Sequence, residues 1–234
     1  WRSQQRIVVK KNPAYHGANA VKLDEIQFLR FDSGDTEERA FRAGQVDITM
    51  AVPPGKLANY ARERPPRLHR TLLAETRYLS FNTARAPLND VRVRLALALS
   101  IDRQKIVERV LMGGQQPAGR FLPPALRSVR DTAPLATEQQ LDPVEARRLL
   151  AQAGFAGGRN FPKLELTGWT VTPVLEAVQE MWRQELRIEV SIAVREANVH
   201  LAALRSGAYD IAFVTTLLDV TDAMALLGDF VSPA

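Results

Sequence analysis

The sequence has no cysteine and only three histidines among its 234 residues. Without cysteine the chain forms no disulfide, thiolate zinc site or cysteine nucleophile. His16, His69 and His200 are far apart in the sequence, which disfavours a histidine metal site. The absence of cysteine suits an oxidising compartment, although a reducing cytosol tolerates it equally. We therefore expect no metal and no cofactor.

Long apolar runs are also missing. Runs such as residues 95–99 are far shorter than the ~20 apolar residues that a membrane-spanning helix needs. The sequence has no Gly-x-Ser-x-Gly, no His-Glu-x-x-His and no Gly-Lys-Ser phosphate loop. We therefore expect neither a membrane span nor an enzyme.

The charge balance is mildly basic, with 31 basic and 26 acidic residues and a net charge of +5. The densest basic stretch, residues 62–70, is interrupted by Pro65 and Pro66 and contains no aromatic side chain that would stack on bases. A solvated surface is a better interpretation of this stretch than nucleic-acid binding.

Strand patterns alternate with helical patterns along the chain. Strands are predicted at residues 6–10, 23–31, 46–50, 68–73, 77–83, 163–168, 187–193 and 209–215. The pair at 68–73 and 77–83 is alternatively one long strand. Helices are predicted at residues 36–43, 54–62, 91–100, 102–112, 143–153, 173–185, 197–206 and 220–228. Residues 113–142, rich in proline and glycine, are predicted to form a loop, and the alternation favours an α/β fold with a mostly parallel sheet.

Two segments of the sequence resemble each other, Ala40-Phe41-Arg42-Ala43-Gly44-Gln45-Val46-Asp47-Ile48 and Ala203-Leu204-Arg205-Ser206-Gly207-Ala208-Tyr209-Asp210-Ile211. They lie much further apart than the repeats of a solenoid. One interpretation is two related lobes. The other is that any tight helix-to-strand junction needs this pattern, with a glycine supplying positive φ.

A longer set of motifs resembles a known family, the extracellular solute-binding proteins of family 5, which serve ABC importers of peptides, dipeptides and nickel. The motifs include Gly44-Gln45-Val46-Asp47-Ile48, Arg77-Tyr78-Leu79-Ser80-Phe81-Asn82-Thr83, Ala86-Pro87-Leu88-Asn89-Asp90, Ser100-Ile101-Asp102-Arg103 and Gly207-Ala208-Tyr209-Asp210-Ile211. Each motif alone is weak, but their common order over nearly the whole chain makes the resemblance specific.

The resemblance implies a type II periplasmic-binding-protein-like fold, with two lobes of mixed sheets flanked by helices, and a chain that is incomplete at both ends. Residues 1–75 are expected to be part of the first lobe and residues 76–234 most of the second. The implied protein is a periplasmic or otherwise extracytoplasmic monomer. It captures a short peptide or similar polar solute between the lobes and delivers it to an ABC permease. A ligand-sensing domain of a transcription regulator, built on the same module, is the alternative.

Candidate site residues follow the predicted strands, because open α/β sheets bind ligands at the carboxyl ends of their strands. Trp169 follows one strand and either walls a pocket or packs in the interior or at a rim. Thr215 ends another strand and Thr216 follows it. The resemblance implies that Asp219 pairs with the α-amino group of a peptide, although the family's neighbouring aromatic and proline residues are missing. Asp219 and Asp222 alternatively cap the following helix.

Three further side chains have expected roles. Tyr78 and Asn82 lie on the strand that, by the resemblance, crosses between the lobes. Tyr78 either lines the cleft or packs, whereas Asn82 is expected to bond backbone groups at the strand end. Trp182 lies within a predicted helix beside Val178 and Met181 and is expected in the core.

Overall fold

The structure, a computed structural model, describes residues 6–71, 73–123 and 140–217. The chain divides into two compact units, residues 1–69 and residues 70–234. Within the described ranges no helix has both the length and the apolar character to cross a membrane. Asp219, Asp222 and the helix predicted at residues 220–228 lie outside the described residues.

The first unit contains a two-stranded antiparallel ribbon and two short helices. Strands β1 (Arg6–Lys10) and β2 (Glu25–Leu29) pair with Ile7 opposite Phe28 and Val9 opposite Ile26. Helix α1 (Gly34–Arg42) begins after Ser33, whose hydroxyl accepts the Thr36 N–H at 3.2 Å. A 3-10 turn (Pro54–Lys56) leads into helix α2 (Leu57–Arg62).

Residues 46–50 do not form the strand that their β-branched composition predicts, so this prediction is wrong. Ile48 and Met50 are almost fully exposed. The Met50 N–H donates to the Glu37 carboxylate at 2.7 Å instead of to a neighbouring strand. A strand requires a hydrogen-bonding partner along its backbone, and composition alone does not supply one.

Glu38 is a buried carboxylate that joins α1 to the segment after it. It accepts hydrogen bonds from Arg42 Nε at 2.6 Å, Lys56 Nζ at 2.6 Å and the Tyr60 hydroxyl at 2.8 Å. These donors, Lys56 above all, lower the pKa of Glu38 to about 2. The charge is tolerated in a buried position because it is paired and hydrogen-bonded by three side chains.

The second unit is built on a four-stranded mixed sheet. Its strands are β3 (Glu75–Phe81), β4 (Leu164–Gly168), β5 (Val190–Val194) and β6 (Ile211–Leu217), in the order β3-β6-β4-β5. Strand β4 is parallel to β5 and β6, whereas β3 is antiparallel to β6. The prediction of a mostly parallel sheet is therefore right for three strands. A single strand begins at Glu75, and the described residues among 68–73 are irregular.

Helices alternate with these strands along the chain. They are α3 (Val91–Leu99), α4 (Arg103–Lys105, continued by the π-helical segment Ile106–Leu111), α5 (Pro143–Gln152), α6 (Pro173–Leu186) and α7 (Ala197–Ser206). Side chains of α3, α5 and α6 join those of β4, β5 and β6 in the core. Trp182 is fully buried there and donates its indole N–H to the Leu97 carbonyl at 2.9 Å, which confirms its predicted place.

Polar side chains form hydrogen bonds between the residues just before β6 and the neighbouring segments. The Asn82 amide donates to the carbonyls of Gly207 and Tyr209, each at 2.9 Å, which confirms its predicted backbone role. Asp210 accepts Arg85 Nη1 at 2.8 Å and the Glu165 N–H at 3.1 Å. The two similar segments therefore share their helix and glycine cap, since Gly44 and Gly207 both have φ of 69°, but Asp210 alone leads into a strand.

Candidate functional site

The carboxyl ends of three parallel strands meet at one edge of the second unit's sheet. Strand β4 ends there at Gly168, β5 at Val194 and β6 at Leu217. Because β3 runs the other way, its first residue, Glu75, lies opposite Leu217 at the same edge. Ligands of open α/β sheets bind at such carboxyl ends, so the candidate site lies at this end of the sheet.

Strand β6 is paired unequally on its two sides. Strand β3 pairs with all of it, from Ile211 opposite Phe81 to Leu217 opposite Glu75. Strand β4 pairs with it at two positions, Leu166 with Ile211 and Thr167 with Ala212. In the described part of the chain, β6 therefore continues for five residues beyond the end of its pairing with β4.

The hydrogen-bonding ladder between β3 and β6 shows to which side each N–H and C=O group of β6 points. The Asn82 N–H donates to the Asp210 carbonyl at 2.9 Å, so these residues form a hydrogen-bonded pair. Such pairs alternate along an antiparallel ladder, so residues 212, 214 and 216 direct their backbone groups toward β3. Phe213, Thr215 and Leu217 direct theirs to the side of β4. The parallel pairing of Thr167 with Ala212 uses the Phe213 N–H, whereas the described residues place no strand beside Thr215 and Leu217. We call Thr215 and Leu217 the open edge of β6.

The side chains of β3 and β6 divide between the two faces of the sheet. Thr215 shares a face with Phe213, which packs in the core. Thr216 lies on the opposite face, across from Thr76, and Tyr78 lies across from Val214 on that face. Thr216 and Tyr78 are therefore near one another, while Thr215 belongs to the other face.

Tyr78 packs against the segment that follows the π-helical turn. Its ring meets Phe121 edge to face, with centroids 5.0 Å apart. The Thr76 hydroxyl donates to the Phe121 carbonyl at 2.8 Å and holds the same segment against β3. Tyr78 is half-buried by this packing, which supports the packing interpretation of this residue. Its contact with a ligand stays a prediction.

Trp169 begins the loop between β4 and α6 and is half-exposed. Gly168 approaches α6 closely, since a Cβ at this position would lie 3.0 Å from Leu175 Cδ1. The Arg195 N–H donates to the Gly168 carbonyl at 2.9 Å and ties the end of β5 to the same point. The backbone before Trp169 is therefore held in place by α6 and by the end of β5, close to the open edge of β6.

Charges near this edge are largely neutralised within the protein. Arg77 donates to the Glu75 carboxylate on β3, and Arg195 donates to Glu165. His200 on α7 is buried, and burial lowers the pKa of its imidazole, which disfavours the charged form. The residues described here include no group of histidine and acidic side chains that would hold a metal ion.

The structure thus brings part of the predicted site together. Trp169, Thr215 and Thr216 lie at the carboxyl edge, with Tyr78 one strand away, whereas Asp219 and Asp222 fall outside the described residues. Sequence reasoning missed the backbone groups of Thr215 and Leu217. Alternation along β6 would have placed them on one side of the strand, but only the positions of β3 and β4 show that this side is open.

Comparisons with known proteins agree with this fold. The chain is 30% identical over 240 residues to the oligopeptide-binding protein OppA of Bacillus subtilis, covering 98% of this chain and 44% of the relative. Its structure is similar to that of the Escherichia coli murein tripeptide binding protein MppA, with a TM-score of 0.82, 27% identity and coverage of 96% and 45%.

A second solved structure is Haemophilus influenzae OppA in complex with the peptide RPPGFSPFR, with a TM-score of 0.76, 26% identity and coverage of 97% and 46%. The chain spans a little under half the length of the B. subtilis relative. The model of the bacterial extracellular solute-binding proteins, family 5 Middle, matches residues 1–234. The chain therefore belongs to the family 5 bacterial extracellular solute-binding proteins, with the α/β architecture of type II periplasmic binding proteins.

Proposed function

We propose that this chain forms part of the substrate-binding component of an ABC importer and binds a short peptide by strand addition. The open edge of β6 is the observation that carries the proposal. Thr215 and Leu217 present N–H and C=O groups at the spacing of a β-strand on a side that β4 leaves unpaired in the described structure. A peptide in extended form offers the complementary row of groups.

The named relatives support peptide as the ligand. The B. subtilis relative is an oligopeptide-binding protein, the E. coli structure is a murein tripeptide binding protein, and the H. influenzae structure contains a peptide. Backbone recognition gives affinity without dependence on side chains, because every peptide carries the same backbone groups.

The remaining parts of the proposal follow from the resemblance to the family. Residues 1–75 form part of the first lobe and residues 76–234 most of the second, with the peptide enclosed between the lobes and delivered to permease subunits. Asp219, two residues after Leu217 in the sequence, pairs with the peptide's α-amino group. The protein acts outside the cytoplasm, as a monomer and without catalysis.

Proline substitutions test the proposed edge directly. In the full-length native protein, Thr215→Pro removes an N–H that faces the open side, so the fold tolerates it while peptide affinity falls by roughly three- to tenfold. Thr216→Pro is the matched control, because it removes an N–H that faces β3 and so lowers thermal stability. Isothermal titration calorimetry with Ala-Ala-Ala and thermal unfolding give the two measurements.

N-methylated peptides give an independent test. In strand addition alternate peptide N–H groups bond to β6, so methylation at those positions weakens binding and methylation between them does not. One lost hydrogen bond corresponds to roughly three- to tenfold in affinity. Equal effects at successive positions, or unchanged affinity in Thr215→Pro, would contradict binding along this edge. Asp219→Asn with unchanged affinity would remove the proposed amine contact.

A further inference from the structure

Large apolar side chains at or just after the carboxyl ends of β4, β5 and β6 are exposed. In the loop after β4, Trp169 is 49% exposed and Val171 is 77% exposed. Val194, which is registered with Gly168, is 48% exposed, and Leu217 at the end of β6 is 52% exposed. Single exposed apolar residues are ordinary, but a group of them at one edge marks a surface that binds a ligand or partner.

The side chains of β3 and β6 beside these apolar residues carry no net charge. The side chains of the open edge and of the neighbouring residues Phe213, Val214 and Thr216 are uncharged. On β3, Glu75 and Arg77 pair with each other. A ligand side chain that carries a charge would lose its water here without gaining an opposite charge from these strands, which disfavours it.

We propose that this edge selects peptides that carry an apolar side chain, and that Trp169 with Val171 and Val194 forms the surface against which this side chain packs. The inference rests on the proposed function, because strand addition along β6 is what brings a peptide side chain to Trp169. Side chains alternate between the two faces of an added strand, so the selection acts on one residue position of the peptide and leaves its immediate neighbours unselected.

A small peptide panel tests the selection. Ala-Leu-Ala, Ala-Ala-Ala, Ala-Lys-Ala and Ala-Glu-Ala, together with the same set substituted at the first and third positions, are titrated into the full-length native protein. We expect one position at which leucine binds about tenfold more tightly than alanine, since burying a leucine side chain removes apolar area from water. At that position lysine and glutamate bind more weakly than alanine.

Variants assign the preference to Trp169. Trp169→Ala lowers the affinity for the leucine peptide more than for the alanine peptide, so the ratio between them falls toward one. Trp169→Phe keeps most of the ratio, because it keeps an aromatic surface. Val144→Ala is the control, since it truncates an apolar side chain that is 70% exposed on α5, away from the carboxyl ends of the strands.

The outcomes separate this inference from the proposed function. Binding of none of the peptides contradicts the proposed function itself. Tight binding with equal affinities at every position leaves the proposed function standing and overturns the selection, as does a preference for lysine or glutamate. A preference for leucine that Trp169→Ala leaves unchanged overturns the assignment to this edge. The same holds if Trp169→Ala lowers stability alone, which would mean that another part of the protein covers the tryptophan.

Discussion

Trp182→Phe should destabilise the second unit without affecting its binding edge. The indole lies at the centre of the core and donates its N–H to the Leu97 carbonyl, 2.9 Å away. Phenylalanine keeps one aromatic ring but removes this donor and part of the buried volume. The substitution therefore tests how much the contact between α6 and α3 stabilises the second unit.

The magnitude follows from two contributions. The lost hydrogen bond contributes about 1 kcal/mol, because the Ser100 hydroxyl still donates to the Leu97 carbonyl at 3.0 Å and leaves it satisfied. The smaller side chain leaves a cavity that costs about 1–2 kcal/mol. The unfolding free energy should therefore fall by roughly 2–3 kcal/mol, which lowers the Tm by roughly 5–10 °C for a unit of this size.

Urea unfolding followed by far-UV circular dichroism measures this change in the full-length protein. Trp169→Phe is the matched control, since the same substitution at a half-exposed position should change the unfolding free energy by less than ~0.5 kcal/mol. A loss below ~0.5 kcal/mol for Trp182→Phe would refute the reasoning, because it would show that the indole is not held in the core as described. A comparable loss for Trp169→Phe would refute the assignment of that residue to the surface.

Three further predictions concern the supports of the fold. Asn82→Ala removes an amide that bonds to two carbonyls at the start of β6, so thermal unfolding should show a loss of about 2–3 kcal/mol, whereas the exposed Asn89→Ala should change little. Gly158→Ala should be much more destabilising in the same assay than Gly157→Ala. Both glycines have positive φ, but only at Gly158 would a Cβ lie 2.2 Å from a backbone oxygen, that of Arg187. Equal losses for the two glycine variants would contradict this packing. For Glu38, whose pKa is lowered from 4.5 to about 2, the folded state binds fewer protons than the unfolded state between these values. The stabilisation by the carboxylate is therefore complete above pH 4.5 and lost as the pH falls toward 2. The stability difference between the native protein and Glu38→Gln, measured by urea unfolding, should shrink over that interval, and a difference that does not vary with pH would exclude the ionic role.

The predicted elements of the second unit were largely correct because their signals are local. Asp90, Asp102 and Asp142 precede helices, and each carboxylate accepts a backbone N–H of the first turn. Helix α7 begins and ends at the predicted residues, and Gly207 caps it with positive φ. Strand β6 lies two residues later than predicted, because Tyr209 and Asp210 serve the junction with Asn82 and Glu165 before the ladder begins.

The unit of residues 1–69 shows where local signals fail. Residues 46–50 have the composition of a strand and follow a correctly predicted glycine cap, yet their backbone meets a side chain of α1 in place of a strand. The buried Glu38 was not identified from the sequence either, since its three partners come from two helices and the turn between them. Pairing and burial depend on residues distant in the chain, which a local pattern does not contain.

The sequence by itself determined the family, the helix starts and caps of the second unit, the buried Trp182 and the backbone role of Asn82. These depend on short-range hydrogen bonds and on the period of apolar residues, which the order of amino acids specifies directly. Only the tertiary structure decided that β3 is antiparallel to β6 and that β4 pairs with just the start of β6. The open edge arises from this difference in pairing along one strand, because a backbone group is free or bonded according to its neighbours and not to its own residue type.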